Sequence, residues 1–440
     1  MMKSKRPWLL SLCMLILGPA AVSADDWPQF RGPTGDGIAQ TKNLPLTWSP
    51  TQNIAWKAAV PGRGRSSPVI LGDRIWLTTA IESRVRRFGS GADDMQQAQR
   101  VVLGAVCLER ASGKILWNVE VFPWDNPGSV HWLNSYATPT PVVEPGRLYC
   151  DFGTFGTACL DSNSGQVIWK RRLPVDHQVG PGSSPILYKN LLVLVRDGRD
   201  QQYVTALDKQ TGDPVWRTDR PPISSKSGDM RKSFSTPLVI EAAERTQMVV
   251  PGAQWIVSYE PETGREIWRV NDGSGFSGAP RPVYGQGMVY ICTGNTGGSP
   301  QLWAIRVDGK GDVTRTHVAW KLTTQIPMVP SPVLVGQAVY LINDDGFASC
   351  VDALSGKVLG KRRVGGKFCA SPVYAEGRLY LCDQDGKITV LAADTQMSPL
   401  AENQVDGPVF ASPAAVGSSI YLRSDGHLYC IRVAPARGAD

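Results

Sequence analysis

The chain has 440 residues, of which 45 are Gly and 33 Pro, with 42% hydrophobic and 19% charged side chains. That apolar fraction can fill a core and no glycine recurs at every third position, which excludes highly charged disorder, a long coiled coil and collagen. Lys and Arg number 46 against 39 Asp and Glu, a net charge of +7, too small and scattered an excess to draw nucleic acid.

In chain order, Lys3, Lys5 and Arg6 precede the apolar run from Trp8 to Leu17, and Val22-Ser23-Ala24 is a small-residue cleavage pattern. This predicts a secretory signal over residues 1–24 and a periplasmic or other extracytoplasmic location. A membrane anchor would need about 20 apolar residues, so no transmembrane span is expected in the mature chain. Cys13 follows the bulky Leu12 inside the run and does not fit a lipidation site. Removing Lys3, Lys5 and Arg6 leaves 43 basic residues against 39 acidic. Export places the remaining cysteines (107, 150, 159, 292, 350, 369, 382 and 430) where disulfides are permitted, although most read as core residues.

After an N-terminal arm, residues 25–52, one unit recurs through residues 53–433, leaving 434–440 as a tail. It opens with Ser or Thr before Pro: Ser67-Pro68, Thr138-Pro139, Ser184-Pro185, Thr236-Pro237, then Pro282 alone, Ser331-Pro332, Ser371-Pro372 and Ser412-Pro413. An apolar-aromatic strand follows, as in Ile75-Trp76-Leu77 or Leu379-Tyr380-Leu381, and then a turn with Asp and Gly before Trp, as in Asp161 to Gly165 to Trp169. Gly accepts positive φ and Asp bonds local backbone, so each unit predicts a four-stranded antiparallel meander. The eight prolines stand 71, 46, 52, 45, 50, 40 and 41 residues apart. That repeat predicts an all-β fold, an eight-bladed β-propeller.

The eighth unit lacks a terminal Trp strand, whereas Ile54-Ala55-Trp56-Lys57 has that pattern with no strands before it. Residues 53–60 are therefore expected to complete the last blade and close the ring. Trp56, Trp117, Trp169, Trp216, Trp268 and Trp320 are predicted to pack between blades, with Leu359 and Leu400 near that position in units six and seven. Residues 80–101, with Arg84, Arg86, Arg87, Asp93 and Asp94, read as a polar insertion, either a mobile surface loop or a functional lid.

The Asp, Gly and Trp spacing resembles the pyrroloquinoline quinone (PQQ) propeller repeat, shared by quinoprotein alcohol dehydrogenases and the noncatalytic BamB-type factor of outer-membrane protein assembly. Asp26-Trp27-Pro28-Gln29-Phe30-Arg31-Gly32-Pro33 resembles the opening of exported bacterial PQQ-like propellers. The dehydrogenases imply PQQ, calcium, a carboxylate base and often adjacent cysteines. Thr293-Gly294-Asn295 is similar to the stretch whose Asn helps hold the metal, which makes Asn295 the one metal candidate, but no two cysteines are adjacent.

His131 and His177 each stand eight residues before a repeat proline, 139 and 185, and Arg65, Asn134, Tyr136 and Lys232 fall in comparable connectors. These are expected at one mouth of the central channel, as a recognition surface or as ordinary loop hydrogen bonding. A four-residue turn at Gly153 to Gly156 would set Cys150 opposite Cys159, leaving open a disulfide or two free thiols. No complete nucleophile, base and oxyanion set is legible. The expected protein is a monomeric, noncatalytic scaffold that uses no cofactor and binds envelope proteins or peptides. The alternative is a PQQ- and calcium-dependent quinoprotein alcohol dehydrogenase.

Overall fold

A computed structural model describes residues 26–273, 275–295 and 300–433; the expected signal over 1–24 and tail over 434–440 lie outside them. Among the described residues there is no α-helix, and eight sheets are built on a four-stranded antiparallel meander. We call them blades 1 to 8. Their first strands are Val69–Leu71, Val142–Glu144, Ile186–Tyr188, Leu238–Ala242, Val283–Gly285, Val333–Val335, Val373–Ala375 and Ala414–Val416. Blade 8 is completed by Ile54–Ala59, which pairs antiparallel with His427–Arg432 and sets Trp56 opposite Cys430. The N-terminal strand therefore closes the ring and removes the open edge.

The Ser/Thr-Pro signature is the belt that joins the blades. The backbone N–H of Ser67 donates to Thr140 Oγ1 at 2.9 Å, Thr140 N–H to Ser184 Oγ at 3.0 Å and Ser184 N–H to Thr236 Oγ1 at 3.0 Å. The pattern resumes from Arg281 to Ser331, Ser331 to Ser371 and Ser371 to Ser412. Each bond contributes about 1 kcal/mol, and the proline that follows has no N–H to leave unpaired on the channel side. The belt residue of blade 2 is Thr140, so the repeat proline is Pro141 and not Pro139. Where Arg281 replaces Ser or Thr, no side-chain acceptor is available to blade 4, and Ser235 Oγ instead donates to Pro280 O at 2.7 Å.

Apolar side chains form a series of clusters, each shared by neighbouring blades. The indole N–H of Trp56, Trp169, Trp216 and Trp320 reaches the next blade's turn, donating to Arg110 O, Lys209 O, Pro261 O and Ala353 O at 3.0–3.2 Å. The turn glycine lies flat on the indole: at Gly212, φ is +75° and a Cβ would come within 2.7 Å of Trp169. Trp117 instead stacks on Trp76 with centroids 5.9 Å apart. Trp268, fully buried, donates to Gln247 Oε1 of its own blade at 2.8 Å.

Leu359 and Leu400 do not take this position. They are exposed, and Gly360 and Ala401 occupy it, opposite Cys350 and Val390. At Gly360 the Thr395 carbonyl of blade 7 lies where a Cβ would be, so blade contact replaces the indole.

Residues 80–101 are not a loop. Arg74–Ser83 and Arg100–Glu109 extend until Ser83 faces Arg100. Arg86–Phe88, Met95–Gln97 and Ser129–His131 then form a separate three-stranded sheet. The Arg87–Asp94 ion pair at 2.5 Å and the bond from Trp132 N–H to Asp94 O at 2.9 Å fasten it.

The expected Cys150–Cys159 register also shifts by one. Asp151 faces Thr157, which sets Cys150 opposite Ala158 and Cys159 opposite Tyr149. A slip of one residue exchanges faces, so the two thiols enter different inter-blade clusters and both are free.

Candidate functional site

The N-terminal arm crosses the axis of the ring. Trp27 pairs with Ile70 of blade 1, and Pro28 O accepts from Val143 N–H of blade 2. Phe30 O accepts from Arg281 Nη1 at 2.7 Å, beside blade 5. Arg31 Nη2 then donates to Pro332 O of blade 6 at 2.6 Å, and Ile38 bridges to Tyr374 of blade 7. Contact with innermost strands on opposite sides carries the arm across the channel. Arg31 is 2% exposed with Nε and Nη1 unpartnered, and burial lowers it to about 10. Arg281 beside it falls to about 9, from burial first and then from Arg31. Asp36, whose backbone carbonyl also accepts from Arg31 Nη2, is the nearby anion.

The predicted recognition residues lie on the face that carries the blade-to-blade connectors. Arg65 Nη2 donates to Trp132 O at 2.9 Å, its guanidinium covers Phe410 at 3.3 Å, and burial lowers it to about 10 despite Asp425 at 3.8 Å. Asn134 Nδ2 donates to Val179 O at 2.9 Å and Pro181 O at 3.1 Å. Tyr136, buried, donates to Gly128 O at 2.6 Å, and burial pushes its phenol up to about 12. Lys232, buried, donates to Gln178 Oε1, and burial lowers its pKa. Arg65, Asn134, the 177–181 segment and Lys232 thus run side by side along successive connectors; Asn134 spends its amide on backbone and Lys232 its ammonium on side chains, while Arg65 Nε and Nη1 are buried without a hydrogen-bond partner.

The two histidines are not equivalent. His131 ends a strand of the small sheet, half-buried, and accepts from Leu133 N–H at 3.2 Å. His177 is buried against Gly153 with both ring nitrogens unpartnered, and burial holds it down to about 4, neutral at pH 7. Counting from Pro141 removes their shared spacing.

Beneath these connectors lie two buried ion pairs and a buried arginine bonded to neutral oxygens, none of them expected from the sequence. Arg196 of blade 3 donates through Nη1 and Nη2 to Asp151 of blade 2 at 3.0 and 2.6 Å, and Thr157 Oγ1 adds a bond at 2.6 Å. Arg220 binds Asp197 at 2.8 Å and the blade 4 carbonyl Val250 O at 2.9 Å. Arg423 of blade 8 donates to Ser66 Oγ and Thr78 O of blade 1 at 2.7 and 2.9 Å. Their signal was a charge ending a buried run, as in Leu192-Val193-Leu194-Val195-Arg196-Asp197.

A family model described as outer membrane protein assembly factor BamB matches residues 103–243 and 200–435, which together span most of the sequence. The chain belongs to this PQQ-like propeller family. Tetrathionate hydrolase of Acidithiobacillus ferrooxidans is 22% identical over 345 residues, 67% of this chain, and the match spans 65% of that relative's length. BamB from Moraxella catarrhalis superposes with TM-score 0.58 at 14% identity, covering 86% of this chain and 99% of that one. A europium-containing methanol dehydrogenase gives 0.60 at 12% identity, covering 92% and 91%. At such identities the structures share the fold alone.

The family's dehydrogenases imply PQQ and a metal, and Asn295 is the residue expected here to hold that metal. Asn295 is tied through its backbone to Phe276 in both directions at 2.8 and 2.9 Å. Among the described residues no three His, Cys, Asp or Glu side chains gather as a metal set. A hard cation needs several oxygens, and Arg31 stands in the channel instead.

Proposed function

We propose that the protein is a noncatalytic propeller scaffold that binds protein or peptide partners in the periplasm or cell envelope. The observation that carries this reading is that the chain's own arm crosses the axial channel, from blade 1 to blades 5, 6 and 7. On that face the small sheet and the blade 1 strand leading into it leave Ile81, Val85 and Phe88 39–45% exposed beside Arg84 and Arg86. Membership of the BamB family supports protein binding, and the leader residues support export.

A reading as an enzyme draws on one observation, a buried carboxyl at Asp272 that burial pushes up to about 7 beside a cavity of about 710 Å³. A group titrating there suits acid–base work. The two readings separate in one experiment on the purified mature chain. A scaffold retains defined envelope proteins from extract and oxidises no alcohol when PQQ, calcium and a redox dye are added, and it leaves tetrathionate unchanged. Turnover in either assay, without retained partners, would overturn the scaffold.

A further inference from the structure

Blade 5 departs from the other blades in how it joins its third and fourth strands. Blades 2 and 3 close that turn tightly, between Asp161 and Gln166 and between Asp208 and Asp213. In blade 5 residues 307–317 rise along the outer edge of blade 4, where Gly311–Asp312 runs parallel to Trp268–Arg269. Val313 N–H donates to Arg269 O at 2.9 Å, and Asn271 N–H to Thr314 Oγ1 at 2.9 Å. This excursion walls a cleft of about 710 Å³ between blades 4 and 5, within the size range of small-ligand sites.

The polar groups of the cleft are unevenly satisfied. Asp272 is 9% exposed; its Oδ1 accepts from Gly275 N–H at 3.1 Å, while Oδ2 is buried without a partner. Gly275 leaves room beside that oxygen, since a Cβ there would approach it to 2.4 Å. Asp312 is occupied by Thr314 and by Arg269 at 3.9 Å. Opposite in charge, Lys321 lies 3.5 Å over the Trp303 ring, and neither Lys321 nor Arg315 forms an ion pair among the described residues. Gln301 is held by Trp303 Nε1 at 2.9 Å. A buried acceptor without a hydrogen bond and two exposed cations in one cleft suit a ligand that carries both signs. A neutral polyol would meet neither charge.

We propose that this cleft binds a short zwitterionic peptide, its ammonium on Asp272 and its carboxylate against Lys321 and Arg315. The site lies away from the axis and does not rest on the scaffold reading. The charged group that faces Asp272 is Lys321, from the last strand of blade 5, with Asp312 and Arg315 farther along the excursion.

Calorimetry on the mature chain would use trialanine, its N-acetyl and C-amide forms, and maltotriose. Trialanine is expected to bind, and N-acetylation or Asp272→Asn to weaken it roughly tenfold or more. Amidation weakens binding to the wild type but adds nothing in Lys321→Met. Affinity falls roughly tenfold or more on acidification to about pH 5, as Asp272 gains a proton. A melting curve checks that the Asn variant folds. Equal binding of the N-acetyl form, preference for maltotriose, or no binding of trialanine would overturn the proposal. A failed capture of envelope proteins would not.

Discussion

Burial raises the Asp272 carboxyl from its ordinary 3.8 to about 7, outweighing the Gly275 N–H and the charge of Lys321. A raised carboxyl favours the protonated form, so its stabilising share is complete below about pH 4 and is lost as pH rises through 7, roughly 4 kcal/mol at most. Asp272→Asn should therefore gain on the wild type as pH rises from about 4 to about 8, measured by urea unfolding at each pH. A difference independent of pH would contradict the assignment. Arg196 is the opposite case. Arg196→Met leaves Asp151 buried with Thr157 alone, and should cost about 3–5 kcal/mol. Adding Asp151→Leu should recover much of that, because the uncompensated charge leaves with it. The charge ending a buried run at Arg196 was legible beforehand, but its partner on blade 2 and the burial of Asp272 were not, because a local pattern carries no information on contacts between blades.

Strand order and closure could be read from the chain because each unit repeats the same physical solution. Details that depend on one residue of register could not be placed so well. Pro141 stands seven residues before Leu148, as Pro68 stands before Ile75, whereas Pro139 stands nine before it. That spacing was available, and it also separates His131 from His177. The Cys150 register was not available, because Gly153–Phe155 forms a 3-10 turn that takes an extra residue into the loop. All eight described cysteines should accordingly react with an alkylating reagent after denaturation without reductant; fewer than eight would reveal a disulfide. Among the indoles, Trp169→Ala removes a side chain 9% exposed and bonded across blades, and should cost about 3–5 kcal/mol. Leu359→Ala, at an exposed position, should stay within about 0.5 kcal/mol. Comparable losses at the two sites would mean that the indole does not hold the blades.

At the scale of the molecule, two terminal segments do different work. Ile54–Ala59 closes the ring, as the unmatched ends of the repeat indicated, whereas residues 27–39 occupy its axis, which no periodicity announces. The belt of Ser and Thr oxygens is interrupted at Arg281, the position whose guanidinium turns inward to the arm. On the scaffold reading the connector face is the one offered to partners. The direct test is a photo-crosslinking residue placed at exposed Phe88 in the small sheet, with Glu244 in a turn on the opposite face as control, in living cells. The scaffold reading predicts discrete adducts with identifiable envelope proteins from position 88 and none from 244. Absence of adducts from position 88, together with alcohol oxidation once PQQ and calcium are supplied, would contradict it.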